Sequence, residues 1–234
     1  MLRTIPYPPP RTMFSNESRP QHRSSYQLPN VHIEQSPPPE KTSATVLASR
    51  TYKTCTNLFL TRRLAEALAG LQPIVEGPAG SMSQLPRALR IKLWSLYLAI
   101  LDAALKMTAS EGKVMWGQKE WPLLVGKIRS GAIWDSANRA YGDEGKVDLE
   151  VVITLSTLLL SHAPDQTITQ KRIEAFLGAM PGPIKQEDPK AVGRRAKITE
   201  IYILHVLPRI GEWEYAKEFT QFSPEIDEEQ KEVS

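Results

Sequence analysis

The sequence is short of several features that define common protein classes. It has a single cysteine, Cys55, among 234 residues, so no disulfide framework can form within the chain. Long apolar runs are also missing. The longest, residues 93–101 and 151–160, span nine and ten residues, about half of the roughly 20 that a membrane-spanning helix needs. We therefore expect a protein of a reducing compartment that has no spanning helix of its own.

Motifs for catalysis and phosphate binding are missing as well. The sequence contains no phosphate loop, no dinucleotide-binding fingerprint and no nucleophile elbow. Its four histidines are His22, His32, His162 and His205. They show no helical i, i+4 pairing, whereas a zinc site needs three or four grouped ligands. Cys55 lies on a predicted apolar helix, where a thiol is usually buried and inert. We predict no catalytic residue, no cofactor, no metal and no enzymatic activity.

Proline and charge are distributed unevenly. Nine of the 19 prolines lie within residues 1–40, a segment with little apolar periodicity that cannot offset the entropy of ordering. We predict a disordered arm over residues 1–45. Residues 1–50 also hold the whole net charge of +3, because the remainder has 23 basic and 23 acidic side chains. A folded part without net charge argues against nucleic-acid binding.

Apolar residues at helical spacing follow the arm. The strongest stretch, residues 85–107, is apolar nearly all round and predicts a helix buried among others. Residues 47–75 predict two short helices that turn near residues 61–63, with Pro73 limiting the second. The stretch 147–162 could contain a strand, but its length favours a helix.

The rest of the sequence predicts shorter helices and breaks. The shorter helices cover residues 122–130, 132–140, 169–180 with Thr169 as cap, 196–206 and 211–222. The pattern is broken after Gly112, and residues 181–192 read as a polar loop. An all-helical interaction domain over residues 46–222 follows, and then an acidic tail, residues 223–234.

A weak internal echo relates residues 58–71 to residues 207–220. A leucine or aromatic residue followed three residues later by alanine occurs in both, which is typical of tetratricopeptide-type helical hairpins. Chance similarity between two amphipathic hairpins would give the same pattern. The predicted fold class is all-α, a tetratricopeptide-like helical array or bundle after the disordered arm.

Large aromatics and arginine pairs are the candidates for partner binding. Tryptophans serve both cores and interface hot spots. The pairs Arg62–Arg63 and Arg194–Arg195 are typical of solvated helix ends, although an acidic peptide or a phosphate could bind them. The chosen partner-binding residues are Arg62, Arg63, Trp213, Tyr215 and Phe219.

Four stretches carry a family resemblance: TYKTCTNLFLTRR at residues 51–63, LRIKLWSLY at 89–97, YILHVLPR at 202–209 and WEYAKEF at 213–219. They resemble the filamentous-fungal peroxin twenty-six family, related in role to yeast peroxin fifteen. The resemblance covers about residues 50–228. It implies a tail-anchored protein on the cytosolic face of the peroxisomal membrane, with a helical, tetratricopeptide-like cytosolic domain that hydrolyses nothing.

The resemblance also implies partners. Such proteins recruit a pair of AAA-ATPase peroxins, which extract the import receptor so that matrix-protein import continues. The anchor that the family carries has no counterpart up to Ser234. Either the acidic tail, residues 223–234, is truncated before an anchor or the resemblance misleads, and we expect the anchorless chain by itself to be cytosolic. Two alternatives stay open. One is a generic helical scaffold in another cytosolic pathway, and the other is an all-α enzyme with an unrecognised site.

Overall fold

Ten α-helices make up most of residues 43–180 and 188–222, the parts of the chain that the computed structural model describes. The helices are Ser43–Leu60 (α1), Leu64–Val75 (α2), Arg87–Leu105 (α3), Ala109–Trp116 (α4), Glu120–Arg129 (α5), Ala132–Tyr141 (α6), Leu149–His162 (α7), Thr167–Ala179 (α8), Pro189–Ile201 (α9) and Trp213–Phe222 (α10). Short 3₁₀ turns occur at Ser81–Gln84, Glu144–Lys146 and Leu207–Ile210. No strand occurs in these two ranges. The predicted all-α class is confirmed.

Helix α3 forms the centre of the fold, as the sequence predicts. Its buried side chains are Leu93, Trp94, Leu96, Tyr97, Leu98, Ile100, Leu101 and Ala104. They face neighbours on several sides because α1, α2 and α7 all pack against α3. Full burial of one such leucine contributes about 2 kcal/mol, so this helix carries a large share of the core.

Helices α1 and α2 form an antiparallel hairpin whose turn lies at residues 61–63, as predicted. One detail differs from the prediction. Helix α1 begins at Ser43 and has 18 residues, so it is longer than expected. Helix α2 ends at Val75, the end of the predicted stretch, and Pro73 lies in its last turn. The helix continues because Val75, one turn from Leu71, is fully buried in the core, which offsets the one hydrogen bond that a proline removes.

Helix α4 lies in the stretch that the sequence analysis treated as broken. Its start is a capping box: the Thr108 backbone N–H donates to Glu111 Oε2 at 2.9 Å, and Thr108 Oγ1 accepts from the Glu111 N–H. Gly112 then packs flat on the indole of Trp121, so α4 and α5 form a close hairpin. The predicted helices at 122–130 and 132–140 are confirmed as α5 and α6 within two residues.

Helix, rather than strand, is confirmed at α7. The cap predicted for α8 is wrong, because the helix begins two residues earlier, at Thr167. Asp165 Oδ1 accepts the Thr167 N–H at 2.9 Å and so satisfies an amide at the helix start. Thr169 is buried inside the helix and donates to Gln166 Oε1 at 2.8 Å.

Helix α9 begins at Pro189, inside the predicted polar loop, because Asp188 Oδ1 caps the Lys190 N–H at 3.1 Å. The remainder of that loop, residues 181–187, lies outside the described residues. After Ile201 the helix widens into a π turn, Tyr202–Val206, in which the Leu207 N–H donates to the Tyr202 carbonyl. Pro208 accounts for the widening, since a proline ring displaces the carbonyl four residues before it.

All described residues belong to one compact unit of the chain. The predicted arm, residues 1–45, lies outside the described ranges apart from Ser43 to Thr45, which form the first turn of α1. The acidic tail at residues 223–234 also lies outside them. Both assignments stay predictions.

Candidate functional site

The apolar face of helix α10 is wider than the part of it that packs against the rest of the fold. Ala216 and Thr220, one turn apart, are buried against the rest of the fold. At 100° per residue, Tyr215 lies to one side of that buried line and Trp213 to the other. Trp213 is 58% exposed and Tyr215 is 40% exposed. These residues, with Phe219, form what we call the α10 surface. The structure places two of the predicted partner-binding aromatics at the protein exterior, and their binding role stays a prediction.

Phe219 attaches the α10 surface to the core. Its ring makes an edge contact with Tyr202 of the π turn, at 5.4 Å between centroids, and another with Tyr215 at 6.2 Å. Tyr202 is itself buried, and its hydroxyl donates to Glu174 of α8. Burial, reinforced by Glu174, raises the pKa of Tyr202 above its usual value. Tyr215 therefore lies at one end of a row of three aromatic rings, and Tyr202 is the buried ring at the other end.

The predicted arginine pair lies elsewhere, in the turn between α1 and α2. Arg62 has a φ of +62°, the left-handed conformation that reverses the chain. Arg63 is committed to Glu66 of α2, with Nε to Oε1 at 2.6 Å. No described hydrogen bond, ion pair or ring contact joins these arginines to the α10 surface. The arginine turn and the α10 surface are therefore separate. Arg62 is the arginine of the pair for which no side-chain partner is described.

The second arginine pair is not solvated as the sequence suggested. Arg195 is buried, and Arg194 Nε contacts Glu150 Oε1 at 2.7 Å. Glu150 also accepts from Arg87 at 2.7 Å. Both carboxylate oxygens of Glu150 are therefore engaged by arginines of this chain, where α9 meets the start of α7.

Beside this contact lies the most buried ion pair described. Asp148, the residue before α7, accepts two hydrogen bonds from Arg90 at 2.9 and 3.0 Å and one from the Tyr141 hydroxyl at 2.8 Å. The Arg90 guanidinium also lies over the Tyr141 ring. Burial, with Asp148 as acceptor, raises the pKa of Tyr141. Each of these three side chains has a partner within the cluster, so the cluster links α3, α6 and α7.

A histidine–carboxylate pair joins α3 to α7. His162 Nε2 and Asp102 Oδ1 are 2.9 Å apart, and Lys106 donates to the other carboxylate oxygen at 2.6 Å. Burial alone would raise the pKa of Asp102, but the hydrogen bonds from Lys106 and His162 lower it below its usual value. The adjacent Ser161 hydroxyl donates to the Thr157 carbonyl and so is not aimed at the imidazole. The sequence shows no sign of this pair, because its members lie 60 residues apart.

Burial raises the pKa of the Cys55 thiol, which keeps it protonated and weakly nucleophilic. Within residues 43–180 and 188–222, no group of three or more His, Cys, Asp or Glu side chains is placed to hold a metal ion.

A second apolar surface, which the sequence analysis missed, lies between α2 and α5. It is a groove of about 430 Å³ that is also lined by Met115 and Trp116. Its other lining residues recur at i, i+3, i+4 and i+7 on each helix, but polar residues stand at one or both ends of each series, so the sequence gives no clear apolar signal. Helix α2 contributes Ala65, Leu68, Ala69 and Gln72, and helix α5 contributes Glu120, Leu123, Leu124 and Lys127.

Compared with known proteins, the chain matches no family model, no curated protein and no solved structure. Across the described ranges, no helix combines the length and apolar character needed to cross a bilayer.

Proposed function

We propose that this chain is a non-catalytic adaptor that recruits the AAA-ATPase peroxins to the peroxisomal membrane for recycling of the matrix-protein import receptor. One observation carries the adaptor part of the proposal. The α10 surface leaves Trp213 and Tyr215 exposed on a helix whose centre is firmly packed. The specific partner comes from the resemblance of residues 51–63, 89–97, 202–209 and 213–219 to the fungal peroxin family.

Exposing these aromatic side chains costs free energy, because contact between apolar surface and water is unfavourable. Trp and Tyr are enriched among the residues that dominate the binding energy of protein interfaces, because their rings bury large areas with few rotatable bonds. Leu204 of the neighbouring π turn is also exposed, and π turns occur often at functional sites. The combination supports a protein-binding role for this end of the molecule.

The polar clusters support the non-catalytic part of the proposal. Asp148 and Glu150 are engaged by arginines, and Asp102 is engaged by Lys106 and His162. A catalytic site needs a nucleophile or base that is free to meet a substrate. These carboxylates instead join helices that are distant in sequence, which is a structural use.

The proposal is tested by affinity capture with the full 234-residue chain as bait in a filamentous-fungal lysate, with and without ATP, read by mass spectrometry. We expect enrichment of both AAA-ATPase peroxins. A matched bait, Trp213→Ala with Tyr215→Ala, should lose them, while Leu60→Ser, which alters an exposed leucine at the end of α1, should retain them.

Two outcomes would contradict the proposal in different ways. Capture of other proteins through Trp213 and Tyr215, without the ATPases, would favour the generic scaffold. Equal capture by the wild-type bait and the double variant would remove the α10 surface from the account. Circular dichroism of each bait establishes that it is folded and helical.

A further inference from the structure

The outer face of α10 combines exposed aromatic rings with exposed carboxylates. Glu218 lies on the side of the helix opposite the buried Ala216, as follows from the helical repeat. It stands one turn from two exposed residues, at i+4 from Glu214 and at i+3 from Tyr215. Trp213 begins the same helix. A ligand that covers the exposed rings therefore also meets Glu218.

The carboxylates of α10 are not fully compensated by neighbouring cations. Glu214 and Glu218 are like charges one turn apart, which is unfavourable on a helix surface. Lys217 donates to Glu214 at 3.1 Å. The side chains of Glu212 and Glu218 are exposed and make no hydrogen bond or ion pair with any described residue. A cation supplied by a ligand would therefore relieve the repulsion on this face.

The C-terminal end of the sequence has a marked acidic excess. Residues 202–234 hold eight acidic side chains and three basic ones, although the chain as a whole has a net charge of +3. Two of the three cations have partners: Lys217 is paired with Glu214, and Arg209 donates to the Leu160 carbonyl at 2.7 Å. Interfaces match positive surface with negative surface. A basic partner is therefore favoured at the α10 surface.

The combination of a ring and a carboxylate favours arginine among the basic residues. Cations lie over the faces of tryptophan and tyrosine, and arginine does so more often than lysine because its guanidinium is planar. The core of this protein contains such a contact. The Arg90 guanidinium lies 5.6 Å from the centre of the Tyr141 ring while it donates to Asp148 at 2.9 Å. Tyr215 and Glu218 offer the same two groups at the surface, and no described cation lies over Tyr215.

We propose that the α10 surface, together with Glu218, binds an arginine-containing basic segment of a partner protein. The guanidinium stacks on the exposed ring of Tyr215 or Trp213, and its N–H groups donate to the Glu218 carboxylate. The inference rests on the proposed function in one respect, the use of the α10 surface as the binding site. It holds whichever protein supplies the arginine segment.

The test uses three labelled peptides of equal length, with arginine, lysine or glutamate at the same alternate positions and glycine or serine elsewhere. Fluorescence anisotropy measures binding of each peptide to the full chain. We expect the arginine peptide to bind roughly threefold more tightly than the lysine peptide, because arginine stacks better on the rings. The glutamate peptide should bind most weakly. Binding of the arginine peptide should weaken as salt is added.

Two variants of α10 separate the role of the rings from that of the carboxylate. Trp213→Leu with Tyr215→Leu keeps apolar side chains but removes both rings, so it should weaken the arginine peptide roughly tenfold and abolish its advantage over lysine. Glu218→Lys should weaken the arginine peptide roughly fivefold. The matched control is Glu120→Lys in α5, which makes the same change at another exposed glutamate without a described partner. Its effect should stay below about twofold.

Several results would overturn the proposal. These are no binding of the arginine peptide, equal binding of the arginine and lysine peptides, or equal losses from Glu218→Lys and Glu120→Lys. Binding that survives the loss of both rings would assign the affinity to the acidic tail, residues 223–234, instead. Self-association that the double leucine variant abolishes, without peptide binding, would make a second copy the occupant. Circular dichroism establishes that each variant is folded.

Failure of this inference is distinguishable from failure of the proposed function. Capture of the AAA-ATPase peroxins that depends on Trp213 and Tyr215 but not on Glu218 would retain the proposed partner and remove the arginine preference. Selective binding of the arginine peptide without capture of the ATPases would do the opposite.

Discussion

Gly70 of α2 lies directly against the sulfur of Cys55 in α1: a Cβ added to Gly70 would stand 2.8 Å from Sγ. Real Cβ atoms do not approach sulfur that closely, so the two helices touch here because one residue has no side chain. The contact fixes how closely the α1–α2 hairpin closes. It also explains why Cys55 is a packing residue.

Replacing Gly70 with alanine should therefore destabilise the protein. Alanine favours helix over glycine by about 1 kcal/mol, but overpacking against Cys55 costs about 1–3 kcal/mol. We expect a net loss of up to about 2 kcal/mol in the free energy of unfolding, measured by urea denaturation. The control is Gly126→Ala in α5, where an added Cβ meets nothing within 4 Å and should stabilise.

A double variant separates the clash from other effects. Cys55→Ala removes the sulfur, so Gly70→Ala should become neutral or stabilising in that background, giving a clear coupling between the two sites. Additive effects of the two substitutions would show that the close approach is not the cause.

The Asp148 cluster should matter far more for stability than a surface ion pair. Asp148→Ala leaves the half-buried Arg90 without its carboxylate partner and the buried Tyr141 hydroxyl without its acceptor, and such losses cost about 3–5 kcal/mol. Asp135→Ala breaks a contact of 2.6 Å to Arg172 at an exposed site, which should cost below about 1 kcal/mol. Chemical denaturation of both variants compares them, and similar losses would contradict the assigned role of Asp148.

Glu76 should make the protein sensitive to acid. Burial alone would raise its pKa, but hydrogen bonds from Lys127 and Tyr97 lower the pKa below its usual value of 4.5. A carboxyl whose pKa is lower in the folded state contributes stability above its unfolded pKa, and that contribution disappears as pH falls through the folded value. We expect part of the free energy of unfolding to be lost below about pH 4.5.

The variant Glu76→Gln tests this directly, because glutamine resembles the protonated acid. Thermal unfolding at about pH 7 should show the variant to be less stable than the wild type, and the difference should shrink toward about pH 3. A difference that is constant across this range would exclude Glu76 as a source of the acid sensitivity.

Local signals explain most of what the sequence predicted. Helix α3 was recognised because its apolar residues leave few exposed positions, and the α1–α2 turn was placed correctly. Helix α4 was missed although Thr108 and Glu111 form the threonine-to-glutamate spacing of a capping box. The stretch predicted for the first two helices ends at residue 75, where α2 does end, two residues after Pro73 and with Val75 buried in the core.

Tertiary relationships were beyond the sequence. Arg90 and Asp148 are 58 residues apart, and no local rule pairs them. The groove between α2 and α5 forms only when both helices have packed, because each helix supplies one of its walls. Of the echo between residues 58–71 and 207–220, Ala67 and Ala216 are both buried, but Leu64 is buried where Trp213 is exposed. Because Trp213 is exposed where its counterpart Leu64 is buried, it belongs to the exposed α10 surface.

The α10 surface should contribute to binding without supporting the fold. Trp213→Ala should change the free energy of unfolding by less than about 1 kcal/mol, because the side chain is mostly exposed. Phe219→Ala should cost more, since its ring packs on the core. Thermal denaturation of both variants makes the comparison.

The most direct test of the adaptor account is a titration of the labelled full chain with the purified pair of AAA-ATPase peroxins. The account predicts saturable binding that weakens by about thirtyfold, the effect of losing a hot spot of about 2 kcal/mol, when Trp213 and Tyr215 are replaced by alanine. Leu60→Ser should bind as the wild type does. Absence of binding by the folded wild-type chain, or equal affinity of the double variant, would contradict it.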